Sequence, residues 1–267
     1  MRKWNLIITI LLFILGTLCF IFFDVKPIKI LDDALANKLL CGFIARIGLS
    51  LLFGWMLYQY GGRKFILFDR RFPKYLLWSL PCIMVGLVNF PVTALINGQV
   101  EIVRTDLLGI YALYVISVAL LEELIFRGVL LIIVSDYLRK SKHKFIFTAL
   151  ICAGIFSLFH LTNLFAGMNI GYVLLQCLYT FLIGGMLIIT MFKTKNIWLC
   201  VLVHAIFDFG GLLTSVYVKE EGTISSIAIG DPWMSPVFWI LTIVMGVLCA
   251  GHCVYTLLKF EKDYVSE

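Results

Sequence analysis

The sequence predicts an all-α, polytopic integral membrane protein with about eight transmembrane helices and a polar cavity among them. Three observations lead there. Of 267 residues, 61% are hydrophobic and only 14% are charged, and mean hydropathy is +1.00. The apolar residues fall into eight long stretches, most exceeding the ~20 residues that cross roughly 30 Å of hydrocarbon. These stretches are continuously apolar rather than alternating, which favours helices over a barrel.

The first stretch, about 6–23, follows Arg2 and Lys3. Its start fits a signal peptide, but the apolar run is long and no A-x-A-like cleavage site follows. Leu18 is too bulky to precede a lipoprotein cysteine at Cys19, so the segment reads as a retained helix. The second and third stretches are about 39–60, with Arg46 inside it, and 75–96. The fourth, 107–135, carries Glu122, Glu123 and Arg127. The fifth, 145–163, is short and ends in the polar pair Thr162-Asn163. The sixth, 168–192, has Gly167 and Gly171 at its start and Gly184-Gly185 within it, residues that permit close helix packing. The seventh, 197–217, holds His204 and Asp208, and the eighth covers 234–258. The longest connections, 24–38, 61–74 and 218–233, are too short to fold alone. With no clear repeat, the chain 1–267 reads as a single membrane domain.

Charge sets the orientation. With the N-terminus in the cytoplasm, the inner segments hold 15 Lys and Arg residues and the outer loops 5, while Arg46 and Arg127 lie within spans. The positive-inside rule then places both termini in the cytoplasm of a multi-pass cell-membrane protein. The compact size suits a prokaryotic plasma membrane. The net charge of +6 forms short juxtamembrane clusters, which match the anionic inner leaflet and argue against nucleic acid as a partner. All eight cysteines fall in or beside apolar spans, with no CxxC, so they read as packed thiols rather than a disulfide scaffold or zinc ribbon.

Three motifs break the apolar pattern: Glu122-Glu123…Arg127 (EELIFR), Phe156…His160 (FSLFH) and His204…Asp208 (HAIFD). Charge at such depth costs roughly 2.5–3.5 kcal/mol per residue on insertion scales, so its presence marks function. On a helix Glu123 and Arg127 share a face as an internal ion pair, whereas Glu122 points elsewhere as the free carboxylate. At ~1.5 Å per residue from the basic flanks, Glu122, His160 and Asp208 lie roughly 20–24 Å deep and His204 near 13 Å. The four can therefore meet at one level. Of the other histidines, His143 reads as solvated and His252 as structural.

A carboxylate kept from bulk water is a stronger base, which suits Glu122 to take a proton from water. His160 could hold that water, with Phe156 shaping the pocket beside it. His204 and Asp208 could stabilise a tetrahedral intermediate, provided that Asp208 carries a proton. Serine chemistry is weakly supported: there is no G-x-S-x-G, and Ser157 has no triad geometry. H-E-x-x-H is absent as well. No cofactor is required, although two His and a carboxylate also suit zinc, so a divalent metal stays open. Two other classes fit intramembrane acids and imidazoles: a non-catalytic membrane adaptor, and a proton-coupled transporter. The absence of visible repeats weighs against the transporter.

EExxxR, FxxxH and HxxxN/D in this order resemble the CAAX-protease and bacteriocin-processing (Abi) family of intramembrane proteases, over about Leu121 to Asp208. The resemblance implies a catalytic core at about 107–217, flanked by helices in 1–106 and 234–258. It implies Glu122 as the water-activating glutamate with His160 beside it, Glu123 and Arg127 as supports, and His204 with Asp208 on the oxyanion side. It further implies metal-independent hydrolysis of a membrane-embedded or lipidated peptide or protein terminus. Relatives are linked to prenyl-protein cleavage, bacteriocin processing or immunity, and some act as scaffolds or sensor-kinase partners. Many members carry Asn where this chain has Asp208.

Overall fold

A computed structural model describes residues 28–67, 70–92, 104–165, 167–217 and 236–265, the side chains of 214–217, 236–239 and 241–242 excepted. Every regular element among them is helical. The predicted first span, 6–23, lies outside the described residues.

Helix α1 (Ala34–Leu57) begins where the Asp33 carboxylate accepts the Ala36 N–H at 2.8 Å, satisfying an otherwise orphaned donor. It runs through a π-helical turn to Ile66, kinking at Gly61, whose φ of 79° an L side chain would resist. The predicted span 75–96 is broken into α2 (Phe72–Trp78) and α3 (Leu80–Val88). Pro81 has no N–H for a continuous helix, so the chain restarts after Ser79. Helix α4 (Leu108–Glu123) passes through a π-helical stretch, Leu124–Leu130, into α5 (Leu131–Tyr137). Helix α6 (Lys144–Phe159) tightens into a 3₁₀ turn over His160–Leu164, which explains the short fifth span. Helix α7 (Ile170–Thr194) is capped by Asn169 and ended by Lys195 in the left-handed region. The Asn196 side chain then accepts the Leu199 N–H and opens α8 (Ile197–Tyr217). Helix α9 (Pro236–Val265) closes the described fold.

Four of these stretches are long and apolar enough to cross a membrane: Ala34–Ile66, Lys144–Leu164, Ile170–Thr194 and Ile243–Val265. Ile197–Leu213 is a shorter apolar helix. The described residues therefore fall short of the expected eight. The first span is not described, the third is broken at Ser79–Pro81, and the fourth carries three charges at mid-length.

Helix α6 packs along α7, α1 along α4, and α8 against α4 and α3. Cores form where these pairs meet, for example Phe53, Leu57, Phe126 and Phe156 with Ile197. Apolar side chains also face outward: Leu174, Leu178 and Leu182 form an i, i+4 stripe on α7, and Leu51, Leu77, Leu158 and Val247 are exposed. So much outward apolar surface is unfavourable in water and suits hydrocarbon.

Two polar anchors hold the ends. Outside the spans, Arg104 pairs with Asp33 (2.9 Å) and Asp106 (3.0 Å), tying the start of α1 to that of α4. The Ala36 N–H and then Arg104 hold the Asp33 carboxyl below its ordinary range, and Arg104 does the same for Asp106. A depressed carboxylate stabilises above its ordinary range and loses that contribution as pH falls through the lowered value. The tether should therefore be constant from about pH 5 to 8 and loosen below about 4. Amide exchange at Ala36, followed against pH, would show it. At the opposite end, Glu261 of α9 accepts the Phe145 N–H at 3.0 Å and bonds His143 at 3.1 Å. Glu261→Ala should cost about 1–2 kcal/mol, read as a lower thermal midpoint with unchanged helix content.

Candidate active site

Helices α4, α6 and α8 deliver the three motifs to one place. Glu122 and Glu123 end α4, and Arg127 lies in the π-helical stretch that follows. The Glu123–Arg127 pair therefore bridges a change of helix type rather than a regular α turn, yet it closes at 2.8 Å. Local π-helical geometry of this kind is frequent at functional sites. Both side chains are 0% exposed. Arg127 also reaches the Gly184 carbonyl at 3.4 Å and lies 4.2 Å over the face of Phe156.

His204 is the hub. Its Nδ1 lies 2.7 Å from Glu123 Oε1, the same oxygen that Arg127 holds. An ionised carboxylate only accepts, so Nδ1 carries a proton. The other nitrogen, Nε2, lies 3.3 Å from Asp208 and 3.7 Å from Glu122. Glu122 thus has an imidazole neighbour, contrary to the expectation of a carboxylate without a positive partner. Counting residues along one helix cannot show a contact made from another. His204 thus meets Glu122 and Asp208 side by side, as their shared cavity requires.

His160 donates from Nδ1 to the Phe156 carbonyl at 2.9 Å, which leaves Nε2 with a free lone pair. Phe156 stands edge-on to His160 (5.0 Å between centroids) and to His204 (6.0 Å), so one ring orients two imidazoles and covers the guanidinium.

Glu122, Phe156, His160, His204 and Asp208 line one cavity of about 410 Å³. The side chains of Glu122 (14% exposed) and Asp208 (18%) open to it, with Glu123 and Arg127 sealed behind. The predicted residues are therefore brought together, in two layers. Ser157 is turned away and donates to the Cys177 carbonyl at 2.6 Å.

The cavity includes residues to which the motifs gave no role. Lys38 and Arg46 of α1 line it, as does Asn89, which donates to the Phe207 carbonyl at 2.8 Å beside Asp208. An Arg in an apolar run with no acid within a turn was the available signal for Arg46. Gly184 allows the close approach expected of it: an added Cβ would lie 3.0 Å from Phe156 Cδ1 and 3.4 Å from Ala153 Cα. Gly167 and Gly185 have nothing that close, and Gly171 meets only Asn169, so those three do not pack helices together. Gly184→Val should destabilise by about 1–3 kcal/mol through overpacking, measured as a lower unfolding midpoint.

Residues 104–210 match the family model for type II CAAX prenyl endopeptidase Rce1-like proteins. The chain carries a domain of this family. The CAAX-endopeptidase domain spans α4 through most of α8, and thus all three motifs. No curated protein and no solved structure matches the chain significantly. Among the described residues, the ligand atoms of the acids and imidazoles in the CAAX-endopeptidase domain do not close to a mutual spacing of 4.8 Å, as a metal cage would. Both nitrogens of His204 already face carboxylates. This set does not fit a preformed zinc site.

Proposed function

We propose that the protein is an intramembrane endopeptidase that hydrolyses a membrane-associated peptide or lipidated protein terminus with water activated by Glu122. The observation that carries this reading is a cavity onto which the Glu122 carboxylate, the free Nε2 side of His160, and the His204–Asp208 pair all open. Water placed between Glu122 and His160 donates one hydrogen bond to each acceptor. Glu122 takes a proton as the oxygen attacks the scissile carbonyl, and later returns it to the leaving amine. His204, with Glu123 on Nδ1 and Asp208 on Nε2, supplies positive charge to the developing oxyanion. Arg46 and Lys38 on the same wall suit an anionic group on the substrate, such as a C-terminal carboxylate. Arg46→Gln should raise KM about tenfold and leave kcat near wild type, since binding rather than chemistry is lost.

We further propose about eight spans with both termini in the cytoplasm of a prokaryotic plasma membrane. Comparison of membrane-associated peptides from cells carrying wild type or Glu122→Gln tests the activity. A peptide whose cleaved form disappears in the variant supports it. Identical peptide profiles with an intact cellular phenotype would instead indicate a non-catalytic adaptor.

A further inference from the structure

Apart from the acid–imidazole cavity, three thiols converge in the protein interior. Cys82 comes from α3, and Cys249 and Cys253 stand one turn apart on α9. All three are buried, and their sulfurs lie within 4.8 Å of one another, with Cys249 to Cys82 at 3.9 Å. A fourth sulfur, Met186 Sδ on α7, is 3.4 Å from Cys249 Sγ. The Thr190 hydroxyl stands 3.8 Å from Cys82 Sγ. His252, on the same turn of α9, lies tilted against Trp78 with centroids 4.6 Å apart, its buried Nε2 without a hydrogen-bond partner.

The spacing has a direct chemical meaning. With metal–sulfur bonds of about 2.3 Å, sulfurs around a single trigonal or tetrahedral ion stand roughly 3.8–4.0 Å apart. The closest pair is already at that distance, and the others need shifts of less than about 1 Å. The thioether narrows the choice of ion. Zinc draws on thiolate, imidazole and carboxylate, whereas thiolate combined with thioether selects Cu(I).

We propose that Cys82, Cys249 and Cys253, with Met186 beside them, form a soft-metal site of the Cu(I) class that staples α9 to α3 and α7. Binding exchanges thiol protons for the ion and transfers no electrons. Because α9 lies beyond the catalytic helices, the staple would fix the C-terminal helix onto the core without taking part in hydrolysis.

The test is an anaerobic titration of the purified full chain, in detergent, with Cu(I) against a competing chromophoric chelator. The expected result is one Cu(I) per chain with only sulfur neighbours by X-ray absorption, and a thermal midpoint that rises on loading. Cys82→Ser and Cys253→Ser should each weaken binding at least 100-fold, Met186→Leu about tenfold, and Cys41→Ser not at all. Far-ultraviolet circular dichroism of each metal-free variant separates lost ligation from lost folding, and Met186→Leu keeps the test alive if a serine variant fails to fold. Sub-stoichiometric uptake, Zn(II) bound in preference to Cu(I), or Cu(I) binding unchanged in Met186→Leu and both serine variants would overturn the assignment.

Discussion

Glu122→Gln should lower kcat by about 10²–10⁴-fold, the range associated with loss of a general base, while leaving expression, insertion and the thermal midpoint near wild type. The amide keeps the shape of the side chain, and at 14% exposure facing a cavity Glu122 carries little of the packing. The amide cannot take a proton from water, so the chemical step fails while the architecture stands. Asp208→Asn provides the contrast. An amide at that position still faces His204 Nε2 from 3.3 Å and can donate without first gaining a proton. Activity in that variant should stay within about tenfold of wild type, a loss of at most ~1.4 kcal/mol. Steady-state kinetics on a cleaved peptide, with size-exclusion profiles of each variant, would check both results.

Arg127→Ala should be the most destabilising single change at the site, costing about 3–5 kcal/mol, because it strands a buried charge. Glu123 would lose its 2.8 Å partner in a pocket closed to solvent, Phe156 would lose the cation over its face, and Gly184 would lose a donor. The pair also positions His204, so activity should fall with stability. A Glu123→Gln/Arg127→Met double variant separates the two effects. With no unpaired charge it should recover most of the stability, yet stay at least tenfold slower because His204 Nδ1 no longer meets a carboxylate. Thermal unfolding followed by tryptophan fluorescence gives the first comparison, and turnover at a temperature where all variants are folded gives the second.

The fold class was legible because continuous apolar runs have one structural solution in lipid, and the helices found at Lys144–Phe159 and Ile170–Thr194 begin and end close to the predicted spans. Hydropathy does not register a missing N–H, so the break at Ser79–Pro81 was read through as a single span. The site was legible to the extent that charge inside an apolar run is costly. Such residues include Glu122, His160, His204 and Asp208, which line one cavity, and the i, i+4 pairing of Glu123 with Arg127 holds across the π-helical stretch. What comes from between helices was hidden. The contact of His204 with Glu123 joins residues 81 positions apart, and Asn89 meets Phe207 over 118. The convergence of Cys82 with Cys249 was equally invisible, because thiols in apolar runs look alike until their helices pack.

A single-turnover reaction in ¹⁸O-labelled water, with purified protein in bilayer nanodiscs and the uncleaved form of a peptide whose cleaved form is missing from the Glu122→Gln membranes, tests the central claim most directly. The account predicts one ¹⁸O in each new C-terminal carboxylate, no acyl-enzyme on acid quench, and no product from Glu122→Gln. Product formed at an undiminished rate by that variant, or a peptide fragment covalently held on a serine or cysteine of the chain, would contradict it.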